Sequence, residues 1–134
     1  MMPSLEYFLV AESISVDRDS GSLSIFHVTE DLVFGDLPGS IPRLVAISSW
    51  RIAPDEIGED SQATLKVHKP WHEANPQYEQ FPINFTAARL RHRINHWIVN
   101  LHVTQPCDLR FEILVNGEHK ASHIVTCRTA TDQD

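Results

Sequence analysis

The chain has little cysteine: its 134 residues include only Cys107 and Cys127. They lie twenty positions apart with no C-x-x-C motif, which is not a metal-binding signature. In a reducing cytoplasm the default state of such residues is the free thiol. The strand pattern described below could bring the two close together, so the sequence leaves their pairing open.

Long apolar runs are also missing, and none approaches the ~20 residues that a membrane-spanning helix needs. Residues 1–6 lack the basic start and apolar core of a secretory signal. We therefore expect a cytoplasmic protein. The formal net charge of −7 argues against binding to anionic membranes and provides no cationic footprint for nucleic acid. We expect neither membrane nor nucleic acid as a partner.

Enzyme signatures are missing as well. The sequence contains no P-loop, no G-x-G-x-x-G and no G-x-S-x-G motif, and neither cysteine lies in a recognisable catalytic context. We therefore assign no catalytic residue and expect no cofactor. This pattern favours a non-catalytic protein.

Turn signals recur at short spacing along the chain, and the runs between them are apolar, β-branched and of strand length. The clearest is Asn116-Gly117, which predicts a tight hairpin turn between two strands. This pattern predicts an all-β fold, an antiparallel two-sheet β-sandwich of seven or eight strands in a single domain spanning 1–134. The predicted strands cover 5–11, 23–28, 43–52, 63–68, 81–86, 94–103, 109–115 and 119–127, with a possible short edge piece at 31–34.

One segment permits a second interpretation. Leu90, Ile94, Trp97, Ile98 and Leu101 also follow helical spacing, and residues 86–89 would make a passable helix start. We favour a strand from Ile94 onward because this stretch is rich in β-branched and aromatic residues. One helical turn near residues 87–92 stays open.

Alternation predicts which side chains of each strand face the core. Three sets of side chains are expected to point inward: Leu5, Tyr7 and Leu9; Trp97, Val99, Leu101 and Val103; and Leu109, Phe111, Ile113 and Val115.

These strand and turn patterns resemble an uncharacterised bacterial family of domains of unknown function. The resemblance rests on residues 5–12, 21–28, 41–45, 81–82 and 109–118, and so spans nearly the whole chain. It implies a small immunoglobulin-like β-sandwich. It implies no catalytic residues.

Histidine is over-represented, with eight in the chain, and three pairs have the spacing H-x-x-x-H. On a helix this spacing would place both rings over one zinc ion, whereas on a strand the two residues are about 13 Å apart. If Trp97 faces the core, His96, Asn100 and His102 face outward as a candidate binding patch. His92, His96 and His102 are the candidates for a metal.

Two further groups are candidates for binding. Arg89, Arg91 and Arg93 form the only basic cluster and could bind a phosphate, a carboxylate or an acidic partner. Trp71, in a long proline-containing loop, could belong to a contact surface. We therefore predict a non-catalytic module that binds a protein partner or a second copy of itself as a homodimer. The alternative is a zinc-type metal-binding enzyme or sensor that uses surface histidines.

Overall fold

The computed structural model describes residues 3–53, 60–70, 77–84 and 91–130. Within these ranges the chain forms nine strands and no helix, which confirms the all-β prediction. The segment that also fitted helical spacing is a strand from residue 91 to 103, while residues 85–90 lie outside the described part. Among the described residues, no helix is long and apolar enough to cross a membrane. The strands are β1 (Ser4–Val16), β2 (Leu23–Val28), β3 (Asp31–Phe34), β4 (Gly39–Arg51), β5 (Asp60–His68), β6 (Gln77–Asn84), β7 (Arg91–Val103), β8 (Cys107–Val115) and β9 (Glu118–Thr129).

The strands form two sheets. The four-stranded sheet has the order β2-β1-β4-β7, and the five-stranded sheet has the order β3-β9-β8-β5-β6. All strand pairs are antiparallel except β3 with β9, which run parallel. The predicted two-sheet β-sandwich is therefore confirmed, with one parallel edge pair that the sequence did not indicate. Strands β2 and β7 form the edges of the four-stranded sheet.

The core fills the space between the sheets, where each inner face contributes alternate side chains. Trp50 is its largest fully buried side chain, and its indole Nε1 donates a hydrogen bond to Ser48 Oγ at 2.9 Å. The inward set predicted for β8 is confirmed, because Leu109, Phe111, Ile113 and Val115 are all buried.

The prediction that Leu5, Tyr7 and Leu9 of β1 all face the core is wrong after Leu5. Leu5 packs against the core, but the next buried side chain is Phe8 rather than Tyr7, which is exposed. The register with β4 shifts between Leu5 and Tyr7. A bulge places an extra residue in one strand, and here it turns Glu6 and Tyr7 to the outer face together.

The prediction that Trp97, Val99, Leu101 and Val103 of β7 face the core is wrong for its first two residues. Trp97 is 39% and Val99 62% exposed, while Ile98 and Leu101 are buried. Strict alternation cannot bury two residues three positions apart. Asn100 lies between them with φ of +52°, a left-handed conformation that reverses the order of inward and outward side chains.

The hairpin formed by residues 12–27, which we call the arm, covers part of the outer face of the four-stranded sheet. β1 pairs with β4 only as far as Ala11 and then pairs with β2 alone. Ile14, Leu23 and Ile25 pack against Ala11, Val45 and Ile47, which form a second buried cluster. The arm therefore leaves uncovered the part of this face that lies along β7.

Candidate functional site

A cleft opens between the tip of the arm and the first residues of β7. Its volume is about 600 Å³, within the range of roughly 300–1,000 Å³ typical of ligand sites. The described residues that line it are Glu6, Tyr7, Val16, Gly21, Ser49, Arg91 and Arg93. β1, β4 and β7 each contribute to it because Tyr7 pairs with Ser49, and Ser49 pairs with Arg93, across the sheet.

Glu6 organises one side of the cleft. Its Oε1 accepts a hydrogen bond from Ser49 Oγ at 3.2 Å and lies 3.2 Å from Arg91 Nε. The Glu6 side chain is 26% and the Arg91 side chain 68% exposed, so only the carboxylate of this ion pair is partly shielded from water. The β1 bulge is what brings the Glu6 carboxylate onto the same face as Arg91.

Arg93 forms the other side of the cleft and differs from Arg91. Its side chain is half-buried, yet no described residue forms an ion pair or hydrogen bond with it. With Glu6 and Arg91 neutralising each other, Arg93 gives the described lining of the cleft a net charge of +1. A guanidinium that keeps its donors available is suited to a planar anion such as a carboxylate.

The outer face of β7 continues from the cleft as an apolar surface. Asn95, Trp97 and Val99 follow Arg93 at alternate positions on this face, and the Arg43 guanidinium lies 4.9 Å from the centroid of the Trp97 ring. A cation over an aromatic face is attracted by the quadrupole of the ring, so Arg43 helps to fix the orientation of Trp97. We call Arg91, Arg93, Trp97 and Val99 the β7 surface.

The structure brings only part of the predicted binding residues together. Arg91 and Arg93 meet in the cleft, and Asn100 and His102 are exposed further along β7. His96 does not join them: it is half-buried, pairs with the core residue Ala46 and shares the inner side of β7 with Ile98. Arg89 and Trp71 lie outside the described residues.

The three histidines considered for a metal are not assembled into one site. His92 and His96 share one side of β7, about 13 Å apart along the strand, whereas His102 lies on the other side. Across the ranges that the structure describes, no group of three His, Cys, Asp or Glu side chains could hold a metal ion.

Sequence reasoning missed a cluster on the outer face of the five-stranded sheet. The Glu112 carboxylate accepts hydrogen bonds from His68 Nε2 at 2.8 Å and from His119 Nδ1 at 2.6 Å, and Arg110 Nη1 lies 3.9 Å away. Burial raises the pKa of Glu112, but the two hydrogen bonds and the neighbouring charges outweigh it and hold this pKa below its ordinary value of 4.5. Only the pairing of β8 with β5 and β9 brings these residues together.

The two cysteines face each other across the β8–β9 hairpin as register partners, and both are free thiols. Cys127 is buried, and this burial, with smaller contributions from Cys107 and nearby carboxylates, raises the pKa of its thiol to about 12. Since the thiolate is the reactive form, Cys127 is not a nucleophile at neutral pH.

Comparison with known proteins gives a family but no function. Residues 6–126 match the model of a family of unknown function, DUF6941. The chain belongs to this family. The resemblance seen in the strand and turn patterns is thus confirmed at the level of an uncharacterised domain family. No curated protein matches the chain.

One solved structure with a similar fold is Pseudomonas fluorescens alkylpurine DNA glycosylase AlkC bound to DNA containing an abasic site analog. The match has a TM-score of 0.51 and 12% sequence identity, and it covers 90% of this chain and 30% of the glycosylase chain. The chain thus corresponds to less than a third of that protein, and at this identity the likeness concerns the fold alone. What the site can do must therefore be argued from its own residues.

Proposed function

We propose that this domain is a non-catalytic protein-interaction module that binds an extended segment of a partner protein along the free edge of β7. The observation that carries the proposal is the edge itself. β7 is 13 residues long and pairs with β4 from Gly39↔Val103 to Arg51↔Arg91, and in the described part of the chain no strand pairs with its other side.

The backbone of such a strand is ready for a partner. Alternate N–H and C=O groups of an edge strand point away from its neighbour and can pair with an added strand. Strand addition of this kind gives affinity through main-chain hydrogen bonds, and side-chain contacts on the sheet face give specificity. Trp97 and Val99 would provide those contacts, because both are exposed beside the free edge.

The sequence of β7 also argues that its edge is covered in the functional state. The six residues from Ile94 to Val99 contain no Asp, Glu, Lys or Arg. A short, uncharged, β-prone segment on a free edge is an aggregation hazard. A bound partner strand would remove the hazard by using the same hydrogen-bonding groups.

We propose a partner protein rather than a second copy or a nucleic acid. β7 contains two arginines and no acidic residue, so all the charged side chains that would meet in a pair of β7 strands are cationic. The net charge of −7 opposes binding to DNA, the molecule to which the glycosylase of similar fold is bound. We place the interaction in the cytoplasm, where Cys107 and Cys127 stay reduced.

The proposal can be tested with random peptides of 13 residues, the length of β7, displayed on phage. We expect the wild-type domain to select peptides that protect the amides of β7 from hydrogen exchange. Val99→Lys, at a side chain that is 62% exposed, should abolish their binding without unfolding the domain, because charged side chains on an edge disfavour strand addition.

Ile124→Lys is the matched control, since Ile124 is a β-branched residue that is 51% exposed on the other sheet. This variant should bind the selected peptides as the wild type does. A library that yields no binder, or peptides that bind Val99→Lys undiminished, would overturn the proposal. So would light scattering that shows a dimer in which the β7 amides are protected, because the occupant of the edge would then be a second copy.

A further inference from the structure

We infer that the segment bound by β7 carries a carboxylate, which enters the cleft and pairs with Arg93. This inference rests on the proposed function and names the chemical class of its partner. Its basis is the contrast between the two arginines of the cleft: Arg91 forms an ion pair with Glu6, whereas no described residue forms an ion pair or hydrogen bond with Arg93.

The charge of the cleft selects a monovalent anion. Among the described residues that line the cleft, Glu6 contributes −1 and the two arginines contribute +2, so one carboxylate brings their sum to zero. A phosphate group carries up to two negative charges, and its second charge would meet the Glu6 carboxylate with no third cation among the described lining residues. A carboxylate also matches the fork of a guanidinium through two parallel hydrogen bonds. The cleft is therefore better suited to Asp or Glu than to a phosphorylated residue, and the net charge of −7 opposes binding to the backbone of a nucleic acid.

The position of the cleft determines the spacing between the acidic residue and the apolar residue of the partner segment. Arg93 and Trp97 lie four positions apart on the same face of β7, which corresponds to about 13 Å along the strand. A partner strand paired beside β7 has the same rise per residue, and its side chains alternate in the same way. The acidic residue of the partner must therefore lie four residues from an apolar residue that contacts Trp97.

The experiment compares two versions of a peptide selected by the wild-type domain. One version carries Glu, and the other carries Gln at the same position, four residues from the apolar anchor. We expect the wild type to bind the Glu peptide about tenfold more tightly than the Gln peptide. Arg93→Gln should bind both equally, at the affinity of the wild type for the Gln peptide. The preference should also vanish in 1 M NaCl, where the screening length falls to about 3 Å.

Arg110→Gln is the control for loss of a positive charge elsewhere, because Arg110 is 44% exposed on the other sheet. It should keep the tenfold preference. If Arg93→Gln keeps the preference too, or if a single-stranded DNA oligonucleotide displaces the peptide in an Arg93-dependent way, the inference is wrong. If only the Arg93→Gln result contradicts the inference, strand addition on β7 is still supported, provided that Val99→Lys still abolishes peptide binding. If the library yields no peptide that the wild type binds, it is the proposed function that has failed.

Discussion

Replacing Glu112 by Gln tests how much the cluster on the five-stranded sheet stabilises the fold. The Glu112 side chain is only 14% exposed and accepts short hydrogen bonds from His68 and His119. A carboxylate can accept both N–H groups, whereas an amide offers one oxygen acceptor and places an NH₂ donor against the second imidazole. Hydrogen bonds to charged groups contribute about 1.5–3 kcal/mol each. Because the cluster lies at the surface, we expect Glu112→Gln to lower the free energy of unfolding by about 1–2 kcal/mol.

This change should lower Tm by about 4–8 °C in a chain of this size, measured by circular dichroism at pH 7. Glu118→Gln is the matched control on the same hairpin, since Glu118 is 57% exposed and lies 3.5 Å from its nearest cation, Lys120. It should change stability by less than about 0.5 kcal/mol. A loss in Glu112→Gln no larger than in this control would refute the stabilising role of the cluster.

The same variant predicts a pH dependence. The pKa of Glu112 is lower in the folded state than its ordinary value of 4.5, so the folded protein binds the proton less readily than the unfolded chain does. The stabilisation by the ionised carboxylate is therefore fully present above about pH 5.5, and it is lost as the pH falls from 4.5 through the lower folded value. The difference between wild type and Glu112→Gln in urea unfolding should shrink over that interval. A difference that grows there would contradict the assignment.

Two further predictions concern single positions. His27 has φ of +59°, a left-handed conformation that costs a non-glycine residue about 1–2 kcal/mol. His27→Gly should therefore raise the urea midpoint of unfolding slightly, and His27→Val should lower it. The opposite order would show that the backbone is not left-handed in solution. Cys127 should resist alkylation by iodoacetamide at pH 8 in the folded protein, because its thiol is buried and has a pKa of about 12. In urea the same thiol should react. Rapid alkylation of Cys127 in the folded protein, detected by mass spectrometry, would refute its burial.

Much of the fold could be predicted from local sequence. The Asn116-Gly117 turn and its flanking strands appear in the structure as expected, and the inward set of β8 follows strict alternation. Alternation failed in β1 and β7 for identifiable reasons. In β1, the register shift between Leu5 and Tyr7 changes which side chains face the core. In β7, the left-handed conformation of Asn100 reverses the order of inward and outward side chains. Neither feature leaves a mark in the periodicity of residue types.

The candidate site was predictable only in part. The basic cluster pointed to Arg91 and Arg93, but Glu6 and Ser49, which distinguish the two arginines from each other, come from other strands. The histidine excess pointed to pairs within one strand. The histidines that do act together, His68 and His119, meet through Glu112 across three strands.

The sequence by itself determined the fold class and the positions of the strands, because turn chemistry and β-branched runs act over a few residues. Only the tertiary structure decided which edge stays free, which arginine keeps its donors available and which outward side chains share a surface. Those features depend on register and on strand order, and both are set by contacts between residues far apart in the chain.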